Sequence, residues 1–386
     1  MEKDGTLKAN PEYFYVDTTE GLSRLTEALR GATRVGLDTE ADSLHHYFEK
    51  VCLIQLSFSH VNYIVDPLSG CSLTEFLEVL SQKELILHGA DYDLRMLKKS
   101  LEFRPKAAIF DTMLAAQVLG YEHIGLAALV EKLCGILLSK SGQKSDWSIR
   151  PLSSKQLSYA TCDTKYLETI ADEMTKNLRE LNRTDWHREC CERVRETSGL
   201  TGKRDVDEPW RIKGSSKLPP KVLAFVRELW KWRDETARKK DRPPFMILRN
   251  EDLIELAEWR AAHPEEPLPS GPSFLKRITG DNLVRLENAV RSAESLLEEE
   301  WPVILKRTRP EVVDRYSQEK VEALIEACRA IASTLKIESC FLAPRASLTA
   351  VVRHRSNSIE SVQSVSALMR WQAELVMPAI KTVLNM

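Results

Sequence analysis

Four carboxylates and one phenol are spaced so that a fold could gather them. Asp38 and Glu40 stand two apart at the end of a short apolar run, in Leu37-Asp38-Thr39-Glu40. Strand side chains alternate, so both acids would point to one face. Two neighbouring acids repel unless a cation sits between them, although a chance surface pair has the same spelling. Asp93 falls in the first turn of a helix that directly follows an apolar strand, in His88-Gly89-Ala90-Asp91-Tyr92-Asp93. There it either complements the helix dipole or faces the sheet edge. Asp91 is the more natural cap. Tyr159 and Asp163 are four apart, among Leu157, Ala160 and Leu167. That spacing puts both on one helix face, where a half-buried acid needs a partner. Carboxylate oxygens are hard donors and suit Mg2+ or Mn2+.

The neighbouring residues predict the elements that would carry this set. Arg34–Asp38, Val51–Phe58, Asn62–Asp66, Leu85–His88 and Ala108–Phe110 read as strands. Ser59-His60 supplies a hairpin turn. Leu73–Leu80, Asp91–Lys99 and Thr112–Leu119 read as helices, and a long helix is expected from Ser153 to about Leu181 with Ser153 or Ser154 as its cap. Three strands followed by alternating helix and strand imply an α/β fold, a mixed sheet covered by helices.

The order Asp-x-Glu, then Asp at a strand-to-helix junction, then Tyr-x3-Asp resembles the DEDDy exonucleases. Leu53-Ile54-Gln55-Leu56, Phe110-Asp111-Thr112 and Lys140-Ser141-Gly142-Gln143-Lys144-Ser145-Asp146-Trp147-Ser148-Ile149-Arg150-Pro151-Leu152 narrow the resemblance to the ribonuclease D family. It implies a ribonuclease-H-like, DnaQ-like exonuclease fold and a metal-dependent 3′–5′ exoribonuclease that releases nucleoside 5′-monophosphates. By the same resemblance Asp38 bridges two divalent ions (Mg2+ or Mn2+). Glu40 and Asp163 complete one ion, and Asp93 supports the other; family spacing favours Asp93 over Asp91. Tyr159 orients the attacking water or helps to deprotonate it. Lys144 and Arg150 would pair with phosphate. Trp147 would stack on a base or wedge into the core. Gln55 is read as a polar group bonding inside the sheet.

Beyond residue 196 the composition changes. Ser198-Gly199, Gly202-Lys203 and Asp207-Glu208-Pro209 have linker chemistry. From Trp210 to Arg249 twelve Lys or Arg stand against four acids, interleaved with Trp210, Trp230 and Trp232. This is either a phosphate-binding surface or a solvated helix face whose tryptophans pack inward. Trp210-Arg211-Ile212-Lys213 and Leu229-Trp230-Lys231-Trp232-Arg233 resemble the helicase-and-RNase-D C-terminal (HRDC) domain, which makes Arg211, Lys213, Lys231 and Arg233 candidate RNA contacts. Leu368-Met369-Arg370-Trp371 resembles a degenerate second copy. The expected domains are an exonuclease domain at 11–195, a linker at 196–209, an all-α HRDC domain at 210–300 and a second HRDC-like helical domain at 315–386.

The chain has 386 residues, a net charge of −2, 43% hydrophobic and 29% charged residues, so it carries enough apolar material for several cores. No apolar run approaches the ~18 residues of a membrane span. The polar start and eight scattered cysteines, without a Cys-x-x-Cys pair, lead us to expect a cytoplasmic protein with reduced thiols. The expected partner is RNA with a free 3′ end, with tRNA precursors suggested by the family, and the expected state is a monomer. The rival readings are a 3′–5′ DNA exonuclease and a nucleic-acid-binding protein without activity.

Overall fold

The computed structural model describes residues 9–10, 12–138, 142–199, 208–303 and 315–385. They group into two units. The first takes residues 1–41, 50–200 and 312–386; the second takes 42–49 and 201–311.

The first unit is built on a seven-stranded mixed sheet, in the order β1-β2-β5-β4-β3-β6-β7. The strands are β1 (Ala9–Asn10), β2 (Tyr13–Val16), β3 (Arg34–Ala41), β4 (Val51–Phe58), β5 (Val61–Val65), β6 (Glu84–Leu87) and β7 (Ile109–Asp111). The five expected strands are present. β1 and β2 are additional, too short for alternation to betray them. The turn between β4 and β5 uses Ser59 and His60, both in the left-handed region at φ 52° and 62°, as a two-residue hairpin requires. β4 is buried along its whole length because it lies at the sheet centre, covered on both faces.

Helices α1 (Thr19–Arg30), α2 (Thr74–Ser81) and α3 (Asp91–Leu101) share one core with β3, β4 and β6 through Leu25, Leu29, Leu37, Phe76, Leu80 and Leu97. Next come α4 (Thr112–Leu119), α5 (Leu126–Cys134), α6 (Ser154–Lys165), α7 (Leu167–Glu180) and α8 (Thr184–Thr197). Ser153 caps α6 in a capping box with Gln156. The expected long helix is therefore two helices, broken at Tyr166. The cause lies in the sheet: the Ser57 hydroxyl donates to the Thr164 carbonyl at 2.7 Å and draws it out of the helical ladder. Gly36 makes room for this, since a Cβ there would stand 2.5 Å from Ser57 Oγ and 3.3 Å from the Thr164 oxygen. The break lets α6 approach β3, β4 and β5 on its own axis.

The last helices are α13 (Arg315–Leu335), α14 (Ser339–Leu342), α15 (Arg345–His354), α16 (Ile359–Val365) and α17 (Arg370–Leu384). They pack on one another around a core that runs on into that of α4, α5 and α7. Leu324, Leu348, Trp371, Val376 and Ile380 belong to one hydrophobic cluster with Ala115, Val118, Leu129, Ile170, Met174 and Leu178 of α4, α5 and α7. Trp186 of α8 stacks on Trp371 at 4.8 Å. The guanidinium of Arg183, itself buried, donates to the Val118 and Leu335 carbonyls, both at 2.7 Å.

The second unit packs α9 (Pro220–Lys240), α10 (Pro244–Ile247), α11 (Asn250–Ala262) and α12 (Asp281–Glu294) around Trp210, Phe225, Leu229, Trp232, Leu253 and Leu286. The linker positions 200–207 lie outside the described residues.

Candidate active site

β3 carries the first two acids, and the strand period decides where they go. Asp38 and Glu40 share the face covered by α6, while Thr39 between them faces the other side and is buried. The i, i+4 spacing on α6 then brings Asp163 over the strand. Carboxylate oxygens of Asp38, Glu40 and Asp163 all lie within 4.8 Å of one another.

Asp93 comes from the first turn of α3 and is 5% exposed. Its Oδ1 accepts from the Thr39 hydroxyl at 2.6 Å and the Thr39 amide at 3.2 Å. Asp91 does not cap this helix. It is the first residue of α3, exposed and 3.7 Å from Arg95, and the cap position falls on Ala90, which offers no side-chain bond. Asp111 does the work instead. Its carboxylate accepts from the Gly89 and Ala90 amides at 3.0 and 2.8 Å, and from Met113 and Leu114 at 2.8 and 3.2 Å. One buried carboxylate thus satisfies the starts of α3 and α4 and fixes the entry to the helix that bears Asp93.

Crowding these acids into a buried place has an electrostatic cost. Burial, followed by Asp93, Asp163 and Glu40, holds Asp38 well above the usual carboxylate range. Burial with Asp163 and Asp93 pushes Glu40 up to about 9. Burial raises Asp93 to about 7 against the opposing bonds from Thr39, and Asp163 to about 7 against its bond from Tyr159. The Tyr159 hydroxyl is raised further still, by burial and then by Asp163, Glu40 and Asp38. It therefore keeps its proton at neutral pH.

The donor set fits hard divalent cations. It is all oxygen, mutually repulsive and short of partners: Asp163 Oδ2 is buried without a hydrogen bond. A cation supplies the counter-charge that such a cluster lacks. Gln55 pairs with Asp38 in the β3–β4 register and is fully buried, yet neither atom of its amide has a partner. The expected bonding inside the sheet is thus not made by its side chain.

The segment before α6 departs from the phosphate-binding expectation. Lys140 and Ser141 lie outside the described residues, and Lys144 is exposed. Arg150 is a clamp: it donates to both Asp66 oxygens at 2.6 and 2.7 Å, and to the carbonyls of Cys52, Trp147 and Ile149. These bonds occupy its donors, so it does not serve as a phosphate ligand. Asp66 also accepts from Tyr15 at 2.6 Å. Burial alone would raise Asp66, but the bonds from Arg150, Tyr15 and Leu68 outweigh it and hold the carboxyl low. Trp147 is 1% exposed in a core with Leu53, Ile64 and Ala160, so it wedges and offers no face to a base.

The second unit treats its basic residues unequally. Arg233 is buried and donates to the Leu248 carbonyl and Asn250, which makes it a packing residue and not an RNA contact. Arg211 pairs with Glu208, donates to the Val303 carbonyl and stacks on Trp210. Lys231 is exposed and pairs with Glu228 at 2.9 Å. Lys213, Lys217, Lys239 and Lys240 are exposed, while Trp210 and Trp232 pack inward. His46 bonds Asp241 at 2.7 Å.

The sequence marks Asp111 as structural and not as a metal ligand, without showing what it holds; the hydroxyl and amide of Thr39 act across elements, and only its position between two acids hints at that role.

Comparison with known proteins agrees with this geometry. A family model described as 3′-5′ exonuclease matches residues 13–179, and an HRDC domain model matches 222–266. Ribonuclease D of Xanthomonas oryzae pv. oryzae is 34% identical over 262 residues, covering 66% of this chain and 71% of that protein. Ribonuclease D of Cronobacter turicensis is 29% identical over 380 residues, covering 96% and 99%. The fold also matches the crystal structure of Escherichia coli RNase D with a TM-score of 0.69 at 22% identity, over 97% of this chain and 98% of that one.

Proposed function

The chain belongs to the ribonuclease D family and is a 3′–5′ exoribonuclease, and from that premise we propose which of its residues do the work. The observation that carries the reading is the convergence of Asp38, Glu40 and Asp163 from β3 and α6 on one place, with Asp93 beside them. Asp38 would be shared by two divalent cations, Glu40 and Asp163 would complete one, and Asp93 would support the other. When bound, two such cations activate a water and stabilise the departing 3′ oxygen of a phosphodiester.

The remaining steps belong to the protein. Tyr159, on the same face of α6 as Asp163, orients the attacking water. Thr39 holds one oxygen of Asp93 and so fixes that carboxyl beside the strand. Asp111 fixes the start of α3. Exposed lysines of the helical unit, Lys213, Lys239 and Lys240 among them, attract the RNA backbone. We further propose that the substrates are structured RNAs with single-stranded 3′ ends, such as tRNA precursors, and that the enzyme acts as a monomer in the cytoplasm.

The test is a 5′-labelled RNA with a free 3′ end, incubated with Mg2+ or Mn2+ beside a DNA of the same sequence. Stepwise shortening of the RNA, release of nucleoside 5′-monophosphates and arrest by EDTA are expected. Asp38→Asn should abolish cleavage and leave RNA affinity nearly intact. Cleavage that persists in excess EDTA, or in the Asp38→Asn protein at the wild-type rate, would refute the assignment. Faster shortening of the DNA would move the substrate to the other nucleic acid.

A further inference from the structure

We propose that Gly142 is a positioning residue for Tyr159, a role that rests on the reading of Tyr159 given above. Gly142 has φ +145°, a backbone state that L side chains rarely adopt. A Cβ built there would stand 2.9 Å from Tyr159 Cγ, 3.0 Å from its Cβ and 3.3 Å from its Cδ2. These atoms are the root of the tyrosine side chain, not a flexible end, so the ring cannot yield without turning as a whole.

The loop has no easy way to retreat either. The Ser145 amide donates to the Gly142 carbonyl at 2.9 Å and closes a turn. Downstream, Trp147 lies 6.0 Å from the Tyr159 ring, itself locked in the core with Leu53 and Ile64. Arg150 ties the same segment to Asp66. Tyr159 therefore has the bare backbone of Gly142 against its root and the indole of Trp147 near its ring. A tilt imposed at its root is carried along the ring to the hydroxyl that meets Asp163. Gly142 acts on the reaction through that hydroxyl alone, and this distinguishes it from a residue needed only for folding.

The experiment is a double-mutant cycle of Gly142→Ala and Tyr159→Phe in the full chain. It is read by kcat and KM on a 3′-ended RNA, by thermal unfolding, and by NMR of protein labelled with 13C at tyrosine Cζ. Misplacing a reacting group by a fraction of an ångström is costly, so Gly142→Ala should lower kcat roughly tenfold with KM changed less than about twofold. It should also move the Tyr159 resonance, which is identified by its loss in Tyr159→Phe. In the Tyr159→Phe background there is no hydroxyl to misplace, and Gly142→Ala should change kcat less than about twofold. An unmoved resonance, an unchanged kcat, or an equal loss in both backgrounds would each overturn the proposal. If Gly142→Ala does not fold, Trp147→Phe loosens the packing beside the ring and must give the same non-additive pattern. A wild-type protein without nuclease activity would sink the assignment of Tyr159 but leave the resonance to decide the steric claim.

Discussion

The hydroxyl and the main-chain amide of Thr39 both donate to one oxygen of Asp93, at 2.6 and 3.2 Å. The strand that presents Asp38 and Glu40 on one face thus grips the third acid from the other. A hydrogen bond to a charged group contributes about 1.5–3 kcal/mol. Thr39→Val keeps the shape and the amide bond but removes the hydroxyl. Its kcat/KM should fall about tenfold or more, and Mn2+ titration should show weaker binding. Adding Asp93→Asn should cost little beyond the single Asp93→Asn change. Wild-type rates in Thr39→Val would show that the hydroxyl does not place Asp93.

The raised carboxyls also predict how stability follows pH. Glu40, at about 9, and Asp93 and Asp163, at about 7, bind protons more tightly in the folded chain than the ordinary value of about 4. Between those values the native state holds more protons than the unfolded one, so stability falls as pH rises. Thermal unfolding in EDTA should show a midpoint that drops from about pH 5 to about pH 9. Saturating Mn2+ neutralises the cluster and should flatten that drop. A midpoint in EDTA that rises across the same range would contradict the buried-acid account.

The shared core makes the last helices part of the catalytic unit's stability. Trp371 is 3% exposed and stacked on Trp186, and replacing a buried Trp by Ala costs about 3–5 kcal/mol. Trp371→Ala should therefore unfold at lower denaturant. A chain ending at residue 303 should lose the native circular dichroism of the sheet unit and become sensitive to protease. A truncated protein with unchanged unfolding would mean that α4, α5 and α7 close a core without help.

Lys239 and Lys240 are exposed in the last turn of α9, whereas Arg233 is buried. Each contact with single-stranded phosphate contributes about 0.7 to the slope of log affinity against log salt. Lys239→Ala and Lys240→Ala should each flatten that slope by about this amount. Arg233→Ala should instead lower the unfolding midpoint and leave the slope alone. Equal slopes in all three variants would remove α9 from the RNA-binding surface.

Two pairings among the acids and Tyr159 are legible because they are local and periodic, while joining them with Asp93 into one set rests on the motif order that resembles the DEDDy exonucleases. Asp38 and Glu40 follow from strand alternation, and Tyr159 and Asp163 from the helical repeat. Arg150 and Arg233 look like substrate contacts, and Trp147 stays open between stacking and core packing, because a sequence gives residue type without burial. An arginine bound to Asp66, 84 positions away, looks the same in one dimension as one waiting for phosphate. The break at Tyr166 was invisible for a like reason: Ser57, which draws off the Thr164 carbonyl, sits on another element. The merging of residues 315–385 with the core of α4, α5 and α7 depends on which apolar faces meet, and periodicity marks the faces without naming their mates.

The core that joins α4, α5 and α7 to α13–α17 is completed by residues near the far end of the sequence, after the whole helical unit has been made. During synthesis the ribosome emits the acids long before it emits Trp371, Val376 and Ile380. A chain interrupted upstream of α17 carries every proposed metal ligand, yet lacks Trp371, which stacks on Trp186 of α8, and the rest of α17's share of that core. The stability of the unit that bears the acids is thereby tied to a helix more than two hundred positions downstream of Asp163.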